Sequence, residues 1–252
     1  MIHSRLCLLL LAFATPSLAA APPAPKGLVL LSAESRVEVD RDGRVVAVSP
    51  DAGLPSAVNE ALAANIRHMR FAPPMKDGHA VAGTTYVWQD ACAAPDNGAY
   101  RFAVKYRGNG PSLVQKLYPR YPAEAQIAGQ AAVWKVSYDV LPDGSAQLHQ
   151  ADRKKGSSRR FDPQFRSALG SWVSAMRFRP EMLDGQAVAT RVATDVEFRL
   201  GRPPGRAETS NAPDARMARA VRNDSCTAAI AAGDKEDRDV ALNSPFQPLP
   251  MN

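Results

Sequence analysis
The residues of this 252-residue chain whose types could do chemistry are three cysteines, a few histidines and one cluster of cations. Cys7, Cys92 and Cys226 lie far apart, so the C-x-x-C spacing of a metal or dithiol site is absent. His68, His79 and His149 are dispersed, with no His-x-x-x-His spacing. There is no Gly-x-Ser-x-Gly turn and no P-loop, and Gly108-Asn-Gly110 reads as a plain loop. The chain is therefore expected not to be an enzyme, with no catalytic residue, no cofactor and no metal. Arg153, Lys154, Lys155, Arg159 and Arg160 put five positive charges within eight residues. Such a run is either a solvated loop or a contact for anionic lipopolysaccharide, lipid or peptidoglycan. The formal net charge is only +6 and scattered, which gives no argument for nucleic acid as a partner.

The ends bound where this chemistry would operate. Arg5 precedes an apolar run from Leu6 to Ala14, followed by Pro16-Ser-Leu-Ala-Ala20. That is the pattern of a secretory signal cut near Ala19 to Ala21. The run is about half of the roughly 20 residues a membrane-spanning helix needs. Cleavage removes Cys7 and leaves Cys92 and Cys226. In an exported chain these are expected to form one disulfide, the other reading being two buried free thiols. A bridge would close a loop of 134 residues and contribute up to roughly 5 kcal/mol.

The elements that carry these residues come in two sets. Met69-Arg-Phe-Ala-Pro-Pro-Met-Lys-Asp-Gly-His-Ala-Val81 returns as Met176-Arg-Phe-Arg-Pro-Glu-Met-Leu-Asp-Gly-Gln-Ala-Val188, with nine of thirteen positions identical at an offset of 107. Upstream of each copy runs an apolar helical stripe: Val58, Leu62, Ile66 and Met69 in one, Phe165, Leu169, Val173 and Met176 in the other, again 107 apart. One structural unit used twice follows from this agreement. In the second unit, Pro122 and Gly129 bracket a short helix. Trp134, Val136, Tyr138 and Val140 alternate with polar residues as a half-buried strand, and Asp143-Gly144 turns the chain into a hairpin partner over 146–151. Asp162-Pro163 opens the main helix, and Trp172, at helical spacing, reads as core. After the Asp184-Gly185 turn, a last strand alternates from Val188 to Leu200. The first unit repeats this in shorter form, with the turn at Asp42-Gly43 and a closing strand around 84–88. Between the units, Tyr100 to Tyr106 alternates as a strand before a loop at 107–111. Beyond a linker at 201–206, one helix is expected over about 213–232, then an extended stretch from Val240 to Phe246.

Tyr121-Pro122, Ala125, Gly129, Asp143-Gly144, the Phe165/Leu169/Trp172 helix, Phe178-Arg-Pro180, Gly185 and a long strand ending in Phe198 occur in order. Over about 117–200 this set resembles the C-terminal domain of the TonB family, the periplasmic partners of outer-membrane receptors; 36–88 resembles a degenerate second copy. The resemblance implies an α+β fold of two TonB-C-terminal-like units, each a small antiparallel sheet packed on one main helix. It also implies a periplasmic location and a final strand, here 189–200, that accepts a short receptor peptide by strand addition. The partner-binding residues are then Arg191, Val192, Thr194, Asp195, Val196, Glu197, Phe198 and Arg199. The backbone from Val192 to Phe198 would add the peptide, while Arg191, Asp195, Glu197 and Arg199 select its side chains.

TonB energy transducers resemble a different overall plan, with an uncleaved membrane helix and a long Pro-rich spacer. Here the apolar run is short, and Ala21-Pro-Pro-Ala-Pro-Lys26 spans only about 20 Å even as polyproline helix. The expectation is a soluble periplasmic module, auxiliary to TonB-dependent outer-membrane transport, whose partner is an outer-membrane receptor or another periplasmic protein segment. The alternatives are an envelope structural protein contacting peptidoglycan or lipopolysaccharide, and an energy transducer if the N-terminus stays as an anchor. The expected division is a signal over 1–20, the degenerate unit over 21–95, a connecting strand and loop over 96–116, the TonB-like domain over 117–201, and a C-terminal extension over 202–252.

Overall fold
Two Asp-Gly turns and two apolar helical stripes build the same arrangement twice. The computed structural model describes residues 28–96, 99–156, 158–200, 217–221, 226 and 239–250. In the first unit, β1 (Leu28–Val39) turns at Asp42-Gly43 into β2 (Val45–Pro50), and α1 (Ser56–Arg67) follows. A small hairpin of β3 (Met75–Lys76) and β4 (His79–Ala80) leads to β5 (Gly83–Asp96), which lies antiparallel to β1. The connecting segment adds β6 (Ala99–Gly110) and β7 (Ser112–Leu113).

The second unit opens with α2 (Ala123–Ile127), then β8 (Ala132–Val140), β9 (Ala146–Gly156), a 3₁₀ turn at Arg159–Phe161 and α3 (Asp162–Ala175). β10 (Phe178–Arg179), the hairpin β11 (Glu181–Leu183) and β12 (Gln186–Val188), and β13 (Thr190–Phe198) complete it. In the C-terminal region, β14 spans Met217–Val221 and β15 Val240–Ala241.

Strand order and register agree between the units. β1 lies between β2 and β5, as β8 lies between β9 and β13. Val37 faces Thr85 where Tyr138 faces Val192, and Val39 faces Gly83 where Val140 faces Thr190. Both helical stripes are buried: Val58, Leu62, Ile66 and Met69, and Phe165, Leu169, Val173 and Met176. The repeated Met-Arg-Phe motif has the same task each time. Phe71 N–H donates to Gly43 O at 2.9 Å, and Phe178 N–H to Gly144 O at 2.8 Å. Both glycines have left-handed φ (77° and 81°), and an added Cβ would sit 2.0 and 2.3 Å from the Phe71 and Phe178 carbonyl oxygens. The motif therefore seats the end of each helix on the hairpin turn, where only glycine fits.

Several elements run further than periodicity indicates. β9 continues to Gly156, so Arg153, Lys154 and Lys155 are strand residues and not part of a loop. β6 extends through Arg107–Gly110, because the fourteen-residue β5 offers backbone for it to pair, with a register shift at Trp88/Gln89. The last strand is interrupted at Ala189, so Val188 belongs to β12, and Leu200 lies beyond β13. The helix expected over 213–232 is corrected at Met217–Val221, which pair with the stretch of β1 that β2 leaves uncovered; most of its remainder lies outside the described residues.

Four ties join the units and the tail. Met182 and Leu183 of β11 pair with Thr84 and Gly83, adding the second unit's hairpin to the first unit's sheet. Glu181, fully buried, accepts from Thr85 Oγ1 (2.6 Å), Ser244 Oγ (2.8 Å) and Thr190 Oγ1 (2.8 Å). Phe246, also fully buried, enters the first unit's core beside Val37, Ile66 and Leu183, edge-on to Phe71 at 6.3 Å. Gly83 makes room for it: a Cβ there would lie 2.6 Å from Phe246 Cζ. Cys92 and Cys226 are joined in a disulfide, with Cα atoms 5.4 Å apart.

Candidate partner-binding edge
Strand β13 is held on one side by nine consecutive pairs with β8, from Thr190↔Val140 to Phe198↔Ala132. Its inward face, Val192, Thr194, Val196 and Phe198, is buried on the side covered by α3. Trp172 lies in this layer as structure, its Nε1–H donating to Leu117 O at 2.9 Å and its ring edge-on to Tyr138. The outward face carries paired charges. Arg191 makes a bidentate pair with Asp139 (2.7 and 3.0 Å), Lys154 meets Asp195, and Arg199 meets Glu197 at 2.6 Å. Hydrogen bonds from these arginines hold the Asp139 and Glu197 carboxyls below their usual range.

Backbone direction decides which residues face the other edge. The Arg191 carbonyl accepts from Leu242 N–H at 2.7 Å, and Arg191 N–H donates to Asn243 Oδ1 at 2.5 Å. Both groups of Arg191 thus point away from β8. In a regular antiparallel strand this direction alternates, so Ala193, Asp195 and Glu197 also face outward, while Val192, Thr194, Val196 and Phe198 serve the β8 ladder. The expected binding residues divide accordingly. Asp195 and Glu197 present backbone to the outer edge, and Arg199 continues their parity beyond the strand. Val192, Val196 and Phe198 turn their backbone to β8 and their side chains into the core, and Thr194 likewise gives its backbone to β8. Ala193, within the expected backbone stretch from Val192 to Phe198, also faces outward, and its short side chain is buried.

The chain's own tail already covers the start of this edge. Val192 pairs with Ala241 and Ala193 with Val240. Tyr138 OH donates to Asp239 at 3.3 Å. Among the described residues the ladder on this side ends at Ala193. From Asp195 to Phe198 the partnered side of β13 is the β8 side.

The five cations differ in their surroundings. Arg153 is largely covered and lies 3.7 Å from Asp162, Lys154 is bound to Asp195, and Arg160 lies over the Phe161 ring at 5.7 Å. Lys155, Arg159 and Arg160 remain exposed. Among the described residues no three His, Cys, Asp or Glu side chains gather as metal ligands, and no helix is long and apolar enough to cross a membrane.

Within 118–200 the strands β9, β8 and β13 form an antiparallel sheet packed on α3, with β13 on its outer side and β15 paired only to the start of that strand. Residues 118–200 match the family described as Gram-negative bacterial TonB protein C-terminal, and within those bounds the chain carries a TonB C-terminal domain. No curated protein matches the chain.

Proposed function
We propose that this domain is a TonB-like protein-binding module of the periplasm, reached through an N-terminal signal and acting beside outer-membrane transport. Its partner, an outer-membrane receptor or another periplasmic segment, adds as an extended strand along the outer edge of β13 at Asp195 and Glu197. The observation that carries this reading is the parity fixed by Arg191, which aims those two backbone positions away from β8. An extended peptide satisfies such an edge with main-chain hydrogen bonds. The common register and turn chemistry further support reading 28–96 as a divergent second copy of the domain. In that copy the matching edge of β5 is filled by β6, so an antiparallel strand fits it sterically.

Asp195→Pro and Glu197→Pro each remove one outward donor while leaving the β8 ladder intact. Glu197→Ala removes only the side chain. Captured periplasmic partners should be lost from the proline variants and kept by the alanine variant. Retention of every partner by both folded proline variants would overturn the reading. The exposed Lys155, Arg159 and Arg160 support a second reading, contact with peptidoglycan or lipopolysaccharide. It requires salt-sensitive binding to sacculi that disappears when those three are replaced.

A further inference from the structure
The tail segment Asp239–Asn243 sits on the edge as a partner strand would, and its contacts define what that edge recognises. Asp239 receives Tyr138 OH at 3.3 Å and a hydrogen bond from the Thr194 side chain. Ala241 lies against β6: a methyl added to Gly110 would come within 2.9 Å of Ala241 Cβ, so the Ala241 methyl sits in the space that Gly110 leaves, which favours a small side chain at 241. Asn243 Oδ1 takes the Arg191 N–H. Val240 and Leu242 point to solvent, 57% and 53% exposed, and add little burial. Anchoring comes from the next residues, Ser244 in the Glu181 network and Phe246 in the core.

We infer that Asp239–Asn243 is a built-in competitor for the β13 edge, and that the displacing partner is an extended peptide of the pattern Asp-x-small-x-Asn. This rests on the strand-addition reading above. A segment with two ladder positions, two exposed apolar side chains and a firm anchor just downstream can open locally without unfolding the domain. A partner that takes its place meets the same Tyr138, Thr194 and Arg191 groups and continues along Asp195 and Glu197.

The test uses the full chain and a fluorescent peptide, Gly-Asp-Val-Ala-Leu-Asn-Gly, followed by anisotropy. Val240→Pro with Leu242→Pro removes two tail donors facing β13 and leaves Phe246 in place. If the tail closes the site nine-tenths of the time or more, this variant binds the peptide at least about tenfold more tightly than the parent. Replacing the peptide's Asp by Ala, or its Ala by Leu, should each weaken binding about tenfold. Equal affinity for parent and variant, or indifference to both peptide changes, would overturn the proposal. Should the double variant fail to fold, Leu242→Pro alone, at an exposed position, carries the same comparison. Glu197→Pro lies outside the tail's register. If it keeps the peptide but loses captured partners, both ideas stand; if partners persist and the peptide still competes, only the partner reading falls.

Discussion

Truncating Phe246 to Ala removes a fully buried ring from the first unit's core, although the residue lies 137 positions after Asn109, its network neighbour. The ring packs with Val37, Ile66, Met69, Phe71, Val87 and Leu183 and meets Phe71 edge-on. Backbone bonds just after it hold the segment in place: Ala72 N–H to Gln247 O at 2.8 Å, and Leu249 N–H to Arg70 O at 2.7 Å. The cavity therefore cannot close by a simple shift of the tail, and the cost should lie in the usual range for Phe→Ala, about 3–5 kcal/mol. Leu249→Ala, at a residue 46% exposed, should cost under about 1 kcal/mol. Urea unfolding of unreduced protein, followed by circular dichroism, gives both values. The loss should fall on the first unit, because the cluster containing Trp134, Tyr138 and Phe165 does not include Phe246. A cost below about 1 kcal/mol for Phe246→Ala would mean the tail is not part of the core, and the reasoning about its anchor would fail.

Further outcomes follow from the same contacts. Gly43→Ala and Gly144→Ala should destabilise comparably, each by more than about 2 kcal/mol, because both force a Cβ onto a phenylalanine carbonyl. Gly78→Ala and Gly185→Ala, with nothing within 4 Å of the new methyl, should cost only about 1 kcal/mol; thermal melts of the four decide this. Burial raises the Glu181 carboxyl above its ordinary range, against the lowering effect of its three hydroxyl donors. The folded state thus holds this proton more tightly than the unfolded one, so this contribution to stability falls as pH rises from the ordinary carboxylate range through the raised value. Glu181→Gln should abolish that slope and be at least as stable as the parent at neutral pH, whereas Glu181→Ala leaves buried hydroxyls without their acceptor and should be less stable throughout. Intact-mass measurement with alkylation should find two additional reactive thiols only after reduction, from Cys92 and Cys226.

What the sequence revealed is what neighbouring residues decide. The stripes Val58/Leu62/Ile66 and Phe165/Leu169/Val173, and the Asp-Gly turns, depend on spacings of a few residues, and all lie where periodicity puts them. What escaped depends on distant partners. Glu181 looks like an ordinary turn acid until Thr85, Thr190 and Ser244 converge on it from three elements. Met217–Val221 become a strand because β1 has uncovered backbone there, a fact held by β1 and not by the tail. At β13, alternation identifies the buried side chains. Which backbone groups face outward shows only once Leu242 and Asn243 are placed against Arg191.

Residue-resolved amide hydrogen exchange along β13, with and without a captured partner peptide, tests the strand-accepting edge most directly. In the free protein, Thr194 and Val196 should be protected by β8 and Ala193 by the tail, while Asp195 and Glu197 exchange rapidly. Addition of the partner should protect Asp195 and Glu197 and leave Thr194 and Val196 unchanged. Strong protection of Asp195 and Glu197 in the free protein, or no gain on partner binding, would contradict strand addition at this edge.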